Sequence, residues 1–281
     1  MKNYQNISVD GKEYGEPARK SSAFFNEGKW ENFIKPHLPT DEEMTFIDIG
    51  CNYGLYVKLA KQYGFQTVLG VESNRELKAV TDKYVTEGKI LYTELSEAIF
   101  RTTFIADLPA ADVVLMANVH YHLYVPVFLH LVNLLRHKTR YVIVVDVDSE
   151  KQKRMHKCFR ANNGLYELEQ YFRGYDRVGY LGEIPTNGDP SPREGMYSVL
   201  FKTKVERVPI DIFKWGRVGS RFYRKVKSDM KQSGYVNKCG VQDGTMTYPL
   251  LLRRNNSLVD GYHRLAQLEL EGAKTVLVEA I

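Results

Sequence analysis

What the chain lacks narrows it first. No apolar run approaches the ~18–20 residues of a membrane-spanning helix. Met1 to Glu16 is too polar to hold the hydrophobic region of a secretory leader. A cytoplasmic protein without a membrane partner is expected. Cysteine is scarce: Cys51, Cys158 and Cys239 are scattered and odd in number, which suits a reducing compartment. They show no metal-ligand spacing, so no metal is expected. The chain also has no G-x-G-x-x-G fingerprint for a dinucleotide pyrophosphate. It has no Asn-Pro-Pro-Tyr-type motif for exocyclic base amines and no nucleophilic Cys-Pro pair for pyrimidine carbon. Internal repeats and low-complexity tracts are absent too, and nothing sets the oligomeric state.

What is present suffices for real cores. Among 281 residues, 43% are apolar and 12% aromatic, which argues against disorder and allows one large domain or two ordinary ones. Charge separates the halves. Residues 204–281 hold 14 Lys+Arg against 8 Asp+Glu, leaving 25 against 26 for the rest, so the whole net charge of +5 sits in the last quarter. That asymmetry predicts two domains, the second facing something anionic: nucleic acid, a nucleotide or an acidic partner.

Residues 1–20 are polar and read as a loose arm, and Phe24, Phe25, Trp30, Phe33 and Ile34 are spaced for a helix that Pro36 ends. Strands and helices alternate from Thr45. Strands are expected at 45–48, 67–71, 90–93, 112–117 and 141–147, with helices at 55–63, 75–84 and 126–135 between them. The continuous apolar texture of the fourth and fifth strands suits burial on both faces. A basic helical stretch (150–160), a short helix (165–172), a segment at 176–181, a proline-bearing loop (182–194) and a strand at 196–202 follow, the last closing an open sheet as a late hairpin. The class is therefore α/β, a doubly wound, mostly parallel sheet. The domain boundary falls near 203–206. Beyond it are short strands at 205–208, 249–253, 257–259 and 275–280, with helices at 217–232 and 262–271.

The chemistry concentrates at Phe46-Ile47-Asp48-Ile49-Gly50-Cys51-Asn52-Tyr53-Gly54, a strand end, a glycine turn and a helix start. Such a turn lets a ligand approach the backbone, and a helix N-terminus offers unpaired N–H groups. Glu72 ends the next strand 22 residues after Gly50, where a carboxylate can accept both hydroxyls of a ribose. Asp48 would repel a pyrophosphate and suits a cationic, amino-acid-like end. These residues resemble the first motif, D/E-x-G-x-G-x-G, of class I S-adenosylmethionine-dependent methyltransferases. Asn52 replaces the middle glycine, and Asn is the non-glycine residue best suited to a positive φ. The resemblance covers about residues 25–202. It implies a Rossmann-like methyltransferase domain over 1–203, S-adenosylmethionine as cofactor, and cofactor contacts at Asp48, Gly50, Cys51, Asn52, Gly54, Glu72, Ser73 and Asn118.

Two histidines and a tyrosine, His120, Tyr121 and His122, follow the fourth strand, on the end where open α/β folds bind ligands. They are candidates to position a nucleophile or act as general base; the alternative is that they only cap the strand. Trp30 and Tyr53 are either pocket walls or core. Lys29-Trp30, Pro36-His37-Leu38, Asp48-Ile49-Gly50-Cys51 and Tyr121-His122 are also similar to the tRNA wobble-uridine carboxymethyltransferase family. That similarity implies carboxy-S-adenosylmethionine as an alternative donor, with Arg193 as a counterpart of a basic residue that holds its extra carboxylate. Plain methyl transfer to a small-molecule or RNA acceptor is the preferred expectation.

The second sharp motif is Leu258-Val259-Asp260-Gly261-Tyr262-His263-Arg264. An Asp-Gly turn feeding a helix with His and Arg in its first turn makes an anion site suited to phosphate; the alternative is that Arg264 merely pairs with Asp260. The run resembles the ParB/sulfiredoxin-like fold, over 204–281. The resemblance implies a small α+β domain with Asp260, Gly261, His263 and Arg264 on a nucleotide or phosphorylated ligand. Tyr262 stands where sulfiredoxins need cysteine, and no helix-turn-helix region follows, so neither sulfiredoxin chemistry nor plasmid-type partition is expected. The helix at 217–232 carries six basic residues and one acidic one, either an extension of an anion surface or a solvated face.

A two-domain methyltransferase with a phosphate-reading tail is the leading expectation. A nucleotide-dependent kinase or NTPase acting through the tail is the first alternative. A nucleic-acid-binding protein with a degenerate methyltransferase fold is the second.

Overall fold

A computed structural model describes residues 5–15, 26–93, 108–123, 125–148, 165–184, 196–213, 217–233, 241–242 and 245–281. The expected helix at 150–160, most of the expected loop at 182–194, and Arg193 lie outside them.

The larger layer is a seven-stranded sheet. Its strands are β3 (Thr45–Ile49), β4 (Thr67–Glu72), β5 (Lys89–Tyr92), β6 (Ala111–Ala117), β7 (Thr139–Asp148), β8 (Asp176–Ile184) and β9 (Met196–Lys202), in the spatial order β5-β4-β3-β6-β7-β9-β8. All pairs among β5, β4, β3, β6 and β7 are parallel, and β9 runs antiparallel between β7 and β8. The alternating pattern produces the two faces. Val113 and Leu115 of β6 join one core with helix α1 (Leu55–Tyr63). Val114 and Met116 join the other with helix α3 (Val125–Leu135) and helix α4 (Leu165–Tyr171). Helix α2 (Lys78–Tyr84) connects β4 and β5. The chain grows outward from β3 through β4 to β5, then returns to the other side of β3 for β6 and β7. The sheet therefore has its topological switch point between β3 and β6, where open α/β sheets bind ligands at the carboxyl ends of the strands.

The amino-terminal segment differs from the expected loose arm. Residues 7–9 (β1, Ile7–Val9) and 12–14 (β2, Lys12–Tyr14) pair as a hairpin, and Ile7 and Val9 are buried in the core beside α1. Burial of two apolar side chains offsets the polarity that makes the segment look unstructured. After it, residues 27–37 form a short irregular helical run with a π-helical centre, Trp30–Ile34, and Pro36 lies in its last turn. Trp30 is packed among Phe46, Tyr56 and Tyr63, so it is core.

Residues 205–280 form a second sheet in the order β10-β15-β13-β14, from β10 (Val205–Pro209), β13 (Leu250–Leu252), β14 (Leu258–Asp260) and β15 (Thr275–Ala280). A two-stranded ribbon of β11 (Val241–Gln242) and β12 (Thr245–Met246) stands beside it. Helices α5 (Arg217–Ser233) and α6 (Tyr262–Leu270) cover this sheet with Tyr223, Val226, Met230, Leu265 and Leu268, in a core separate from those of the larger sheet.

The second sheet docks on the amino ends of the parallel strands. Asp112, at the start of β6, accepts two bonds from Arg207 of β10 (2.8 and 2.5 Å) and one from the Thr45 backbone N–H (2.8 Å). Both side chains are nearly inaccessible, at 7% for Arg207 and 0% for Asp112. Glu43 accepts from the backbone N–H of Lys274 and of Thr275 and from the Thr275 hydroxyl. Lys138 is buried, donates to the Leu108 carbonyl and lies 4.1 Å from the centre of the Tyr248 ring. No described helix is long and apolar enough to cross a membrane.

Candidate functional site

The glycine turn occupies the switch point. Gly50, Asn52 and Gly54 all have positive φ, at 78°, 51° and 82°. The left-handed region is cheap for glycine and tolerated by asparagine, so Asn52 takes the angle a middle glycine would take. Gly50 is constrained twice. Besides its φ, a Cβ there would lie 2.7 Å from Val119 Cγ2, because the segment after β6 closes against the turn. That contact brings Asn118 (φ 58°) and Val119 to the loop, as their position after β6 implies.

Several of the N–H groups at the turn and helix start are engaged. Gly50 and Cys51 both donate to the Val71 carbonyl (2.8 and 3.0 Å), and Gly54 donates to the Cys51 carbonyl (2.8 Å). Asn52 N–H donates to Glu72 Oε2 (2.8 Å). Leu55 N–H, at the start of α1, donates to Gln5 Oε1 of the amino-terminal segment (3.2 Å). Five amides of the turn and helix start, those of Gly50, Cys51, Asn52, Gly54 and Leu55, are thus engaged within the protein. Gln5 carries no sequence signal for this role, since it reaches the helix from 50 positions away.

Acceptors are what remain. Asp48 is buried (1% exposed), and its Oδ2 has no hydrogen-bond partner among the described residues; the same holds for Asn52 Oδ1. A buried unpaired carboxylate is costly and takes up a proton instead. Burial first, and then the neighbouring Glu72 charge, pushes the Asp48 carboxyl well above the usual range. Glu72, also buried, is held from the other side by the Asn74 backbone N–H (2.7 Å) and by the Ser73 hydroxyl (3.3 Å). Ser73 therefore meets the site through Glu72. The side-chain chemistry of this set is one-sided: two carboxyl groups and an amide oxygen, with five of the nearby backbone donors engaged. It fits a ligand rich in donors and positive charge, such as an ammonium group and a vicinal diol, and it opposes a phosphate.

The other sequence candidates divide. Cys51 is fully buried in the core, and burial together with Asp48 and Glu72 pushes its thiol far up, so only its backbone faces the turn chemistry. Tyr53 is buried with its ring 6.2 Å from that of Tyr14, which makes it core. His120 is fully buried, 6.5 Å from the Phe128 ring on the α3 side of the sheet. His122 is exposed in the same turn. Tyr121 belongs to that turn, and its side chain lies outside the described residues.

In the second motif, Gly261 has φ 101° and opens helix α6, and His263 is exposed. Arg264, however, donates to Asp260 Oδ2 (2.7 Å) and to the Tyr248 carbonyl (2.9 Å), with its side chain 12% exposed. Its guanidinium ties β14 to the segment before β13, and the pairing with Asp260 is the one the sequence offers as the alternative to a phosphate contact. A cavity of about 90 Å³ between the two sheets, bordered by Glu43, Thr45, Arg207 and Thr275, belongs to their interface and lies at the strand ends opposite the glycine turn.

No protein-family model matches the chain, and no curated protein matches it. Solved structures similar to part of it include TehB from Haemophilus influenzae, at 15% identity over 63% of this chain and 62% of that one (TM-score 0.48). A SAM-dependent methyltransferase from Aquifex aeolicus is 16% identical over 66% and 93% of the two chains (TM-score 0.45). Magnesium protoporphyrin IX methyltransferase from Synechocystis PCC 6803 with bound SAH is 14% identical over 57% and 73% (TM-score 0.41). The chain spans less than two thirds of the TehB chain. These likenesses are of backbone shape alone.

Proposed function

We propose that the chain is an S-adenosylmethionine-dependent methyltransferase whose cofactor site is the switch-point turn. The observation that carries this reading is the acidic cradle: the buried Asp48 carboxyl, with an oxygen that has no partner among the described residues, beside Glu72 at the glycine turn. Asp48 would take the ammonium of the amino-acid end, Glu72 the ribose hydroxyls, and the Gly50–Gly54 backbone the close approach between them. When bound, S-adenosylmethionine supplies an electrophilic methyl group on a sulfonium. The chain's own work is alignment. Exposed His122, after β6, is the proton acceptor best placed for a hydroxyl or amine substrate. The docked second sheet covers the amino ends of the strands, so it forms no wall of this cleft. The acceptor is therefore selected by residues at the carboxyl ends.

Calorimetric titration of the full chain with S-adenosylmethionine tests the reading. Saturable binding is expected, weakened about 10- to 100-fold in Glu72→Ala, as loss of hydrogen bonds to a charged group of ~1.5–3 kcal/mol requires. Absence of binding to the intact chain, or unchanged binding in the variant, would overturn it.

A further inference from the structure

Helix α5 is dense in cations. Two other helical segments place opposite charges one turn apart: Glu31 with Lys35 (2.7 Å) and Lys78 with Asp82 (2.5 Å). On α5, Arg217, Arg221 and Lys225 follow at steps of four, Lys227 precedes Lys231 by four, and exposed Asp229, four after Lys225, is the one acid against six cations. Like charges at this spacing destabilise a helix by ~0.2–0.5 kcal/mol per pair. Of these cations, Lys227 is drawn away by Glu269 of α6. Arg221, Arg224, Lys225 and Lys231 are exposed, while Tyr223, Val226 and Met230 on the opposite side are buried in the second core. Arg221, Arg224, Lys225, Ser228 and Lys231 lie within one face by helical geometry. From 221 to 231 the stripe runs about 15 Å at 1.5 Å per residue, the axial length of roughly four base steps at ~3.4 Å per phosphate.

We propose that this face of α5 binds the phosphate backbone of a nucleic acid. The charge pattern is complementary to a linear polyanion, and the net positive charge of the chain is concentrated in residues 204–281. A membrane is the poorer occupant, because insertion needs an exposed apolar face and that of α5 is in the core. The contacts are to phosphate, so affinity is nearly independent of sequence and steeply dependent on salt. The inference does not depend on the methyl-transfer reading, since α5 belongs to the module docked away from the glycine turn.

Fluorescence anisotropy of a labelled 20-nucleotide single strand, titrated with the full chain between 50 and 200 mM salt, tests it. Binding is expected, and the triple variant Arg221→Glu, Lys225→Glu, Lys231→Glu is expected to lose at least tenfold in affinity. Its log–log salt slope should flatten by about 2, at ~0.7 per phosphate contact removed. These side chains are exposed, so thermal unfolding of the variant should match the parent. Arg221→Lys should keep both affinity and slope. Lack of strand binding by the parent would overturn the proposal. So would a triple variant that binds like the parent, equal competition by poly-glutamate, or binding to anionic vesicles lost in the same variant.

Discussion

The large sheet buries an aspartate at each end, and the two are treated in opposite ways. At the amino ends, Asp112 is saturated: Arg207 grips both oxygens and the Thr45 N–H adds a third bond. At the carboxyl ends, Asp48 is as deeply buried and keeps an oxygen with no partner among the described residues. A fold that can satisfy one buried carboxylate so fully leaves the other open at the point where the strand order reverses. A fully partnered buried carboxylate locks two sheets together; a buried carboxyl with an unpartnered oxygen marks a place for a ligand.

The largest effect expected from breaking this comparison is at the saturated end. Arg207→Met leaves Asp112 buried without its counter-charge and should cost about 3–5 kcal/mol, read as a shifted urea midpoint. Replacing both partners, Asp112→Asn with Arg207→Met, should recover part of that loss. If the single variant unfolds like the parent, Asp112 is no lock.

At the open end, Gly50→Ala forces an L-residue to φ 78° and against Val119, and should lose about 1–2 kcal/mol of stability together with S-adenosylmethionine binding. Val119→Ala in the same chain should relieve the contact but not the backbone cost. Full recovery of stability in that double variant would show that the backbone angle matters little.

Asp48 gives a subtler effect with a definite sign. Its folded carboxyl holds a proton above the usual range, while the unfolded chain releases it. Stability therefore falls as pH rises from the ordinary carboxylate range through the raised value, and this slope should vanish in Asp48→Asn. Affinity for a cationic ligand should rise over the same window, because the ligand needs the ionised form. Urea unfolding and calorimetry at a series of pH values measure both; parallel curves for the parent and Asp48→Asn would remove Asp48 from the site. The smallest change is expected for Asp260→Asn. Its carboxylate is 65% exposed, so loss of the Arg264 pair should cost under about 1 kcal/mol in thermal unfolding.

Much of the architecture was legible in the residues. The continuous apolar texture of 112–117 and 141–147 placed β6 and β7, and Thr275–Ala280 emerged with the expected bounds. The amino-terminal hairpin was not legible, because its polar residues show a period only once Ile7 and Val9 find a surface to bury them. The site was half legible. Glycine, asparagine and acid spacing located the turn and Glu72, since backbone angle and strand length are local properties. The burial of His120 was not legible, because which face of a turn is covered depends on the helix packed against it. The second partner of Arg264, the Tyr248 carbonyl, was not legible for a similar reason, since it lies 16 positions away.

By itself, then, the sequence determined the order of strands and helices, the left-handed turn at Gly50, Asn52 and Gly54, and the basic stripe of α5. These depend on neighbours within a few residues. Tertiary structure decided which groups are left with unmet demands. It drew the turn amides to Val71, Glu72 and Gln5, gave Asp112 an arginine from 95 positions away, and left Asp48 without one. The physical reason is that the cost of a buried charge depends on which distant groups the fold brings within hydrogen-bonding reach.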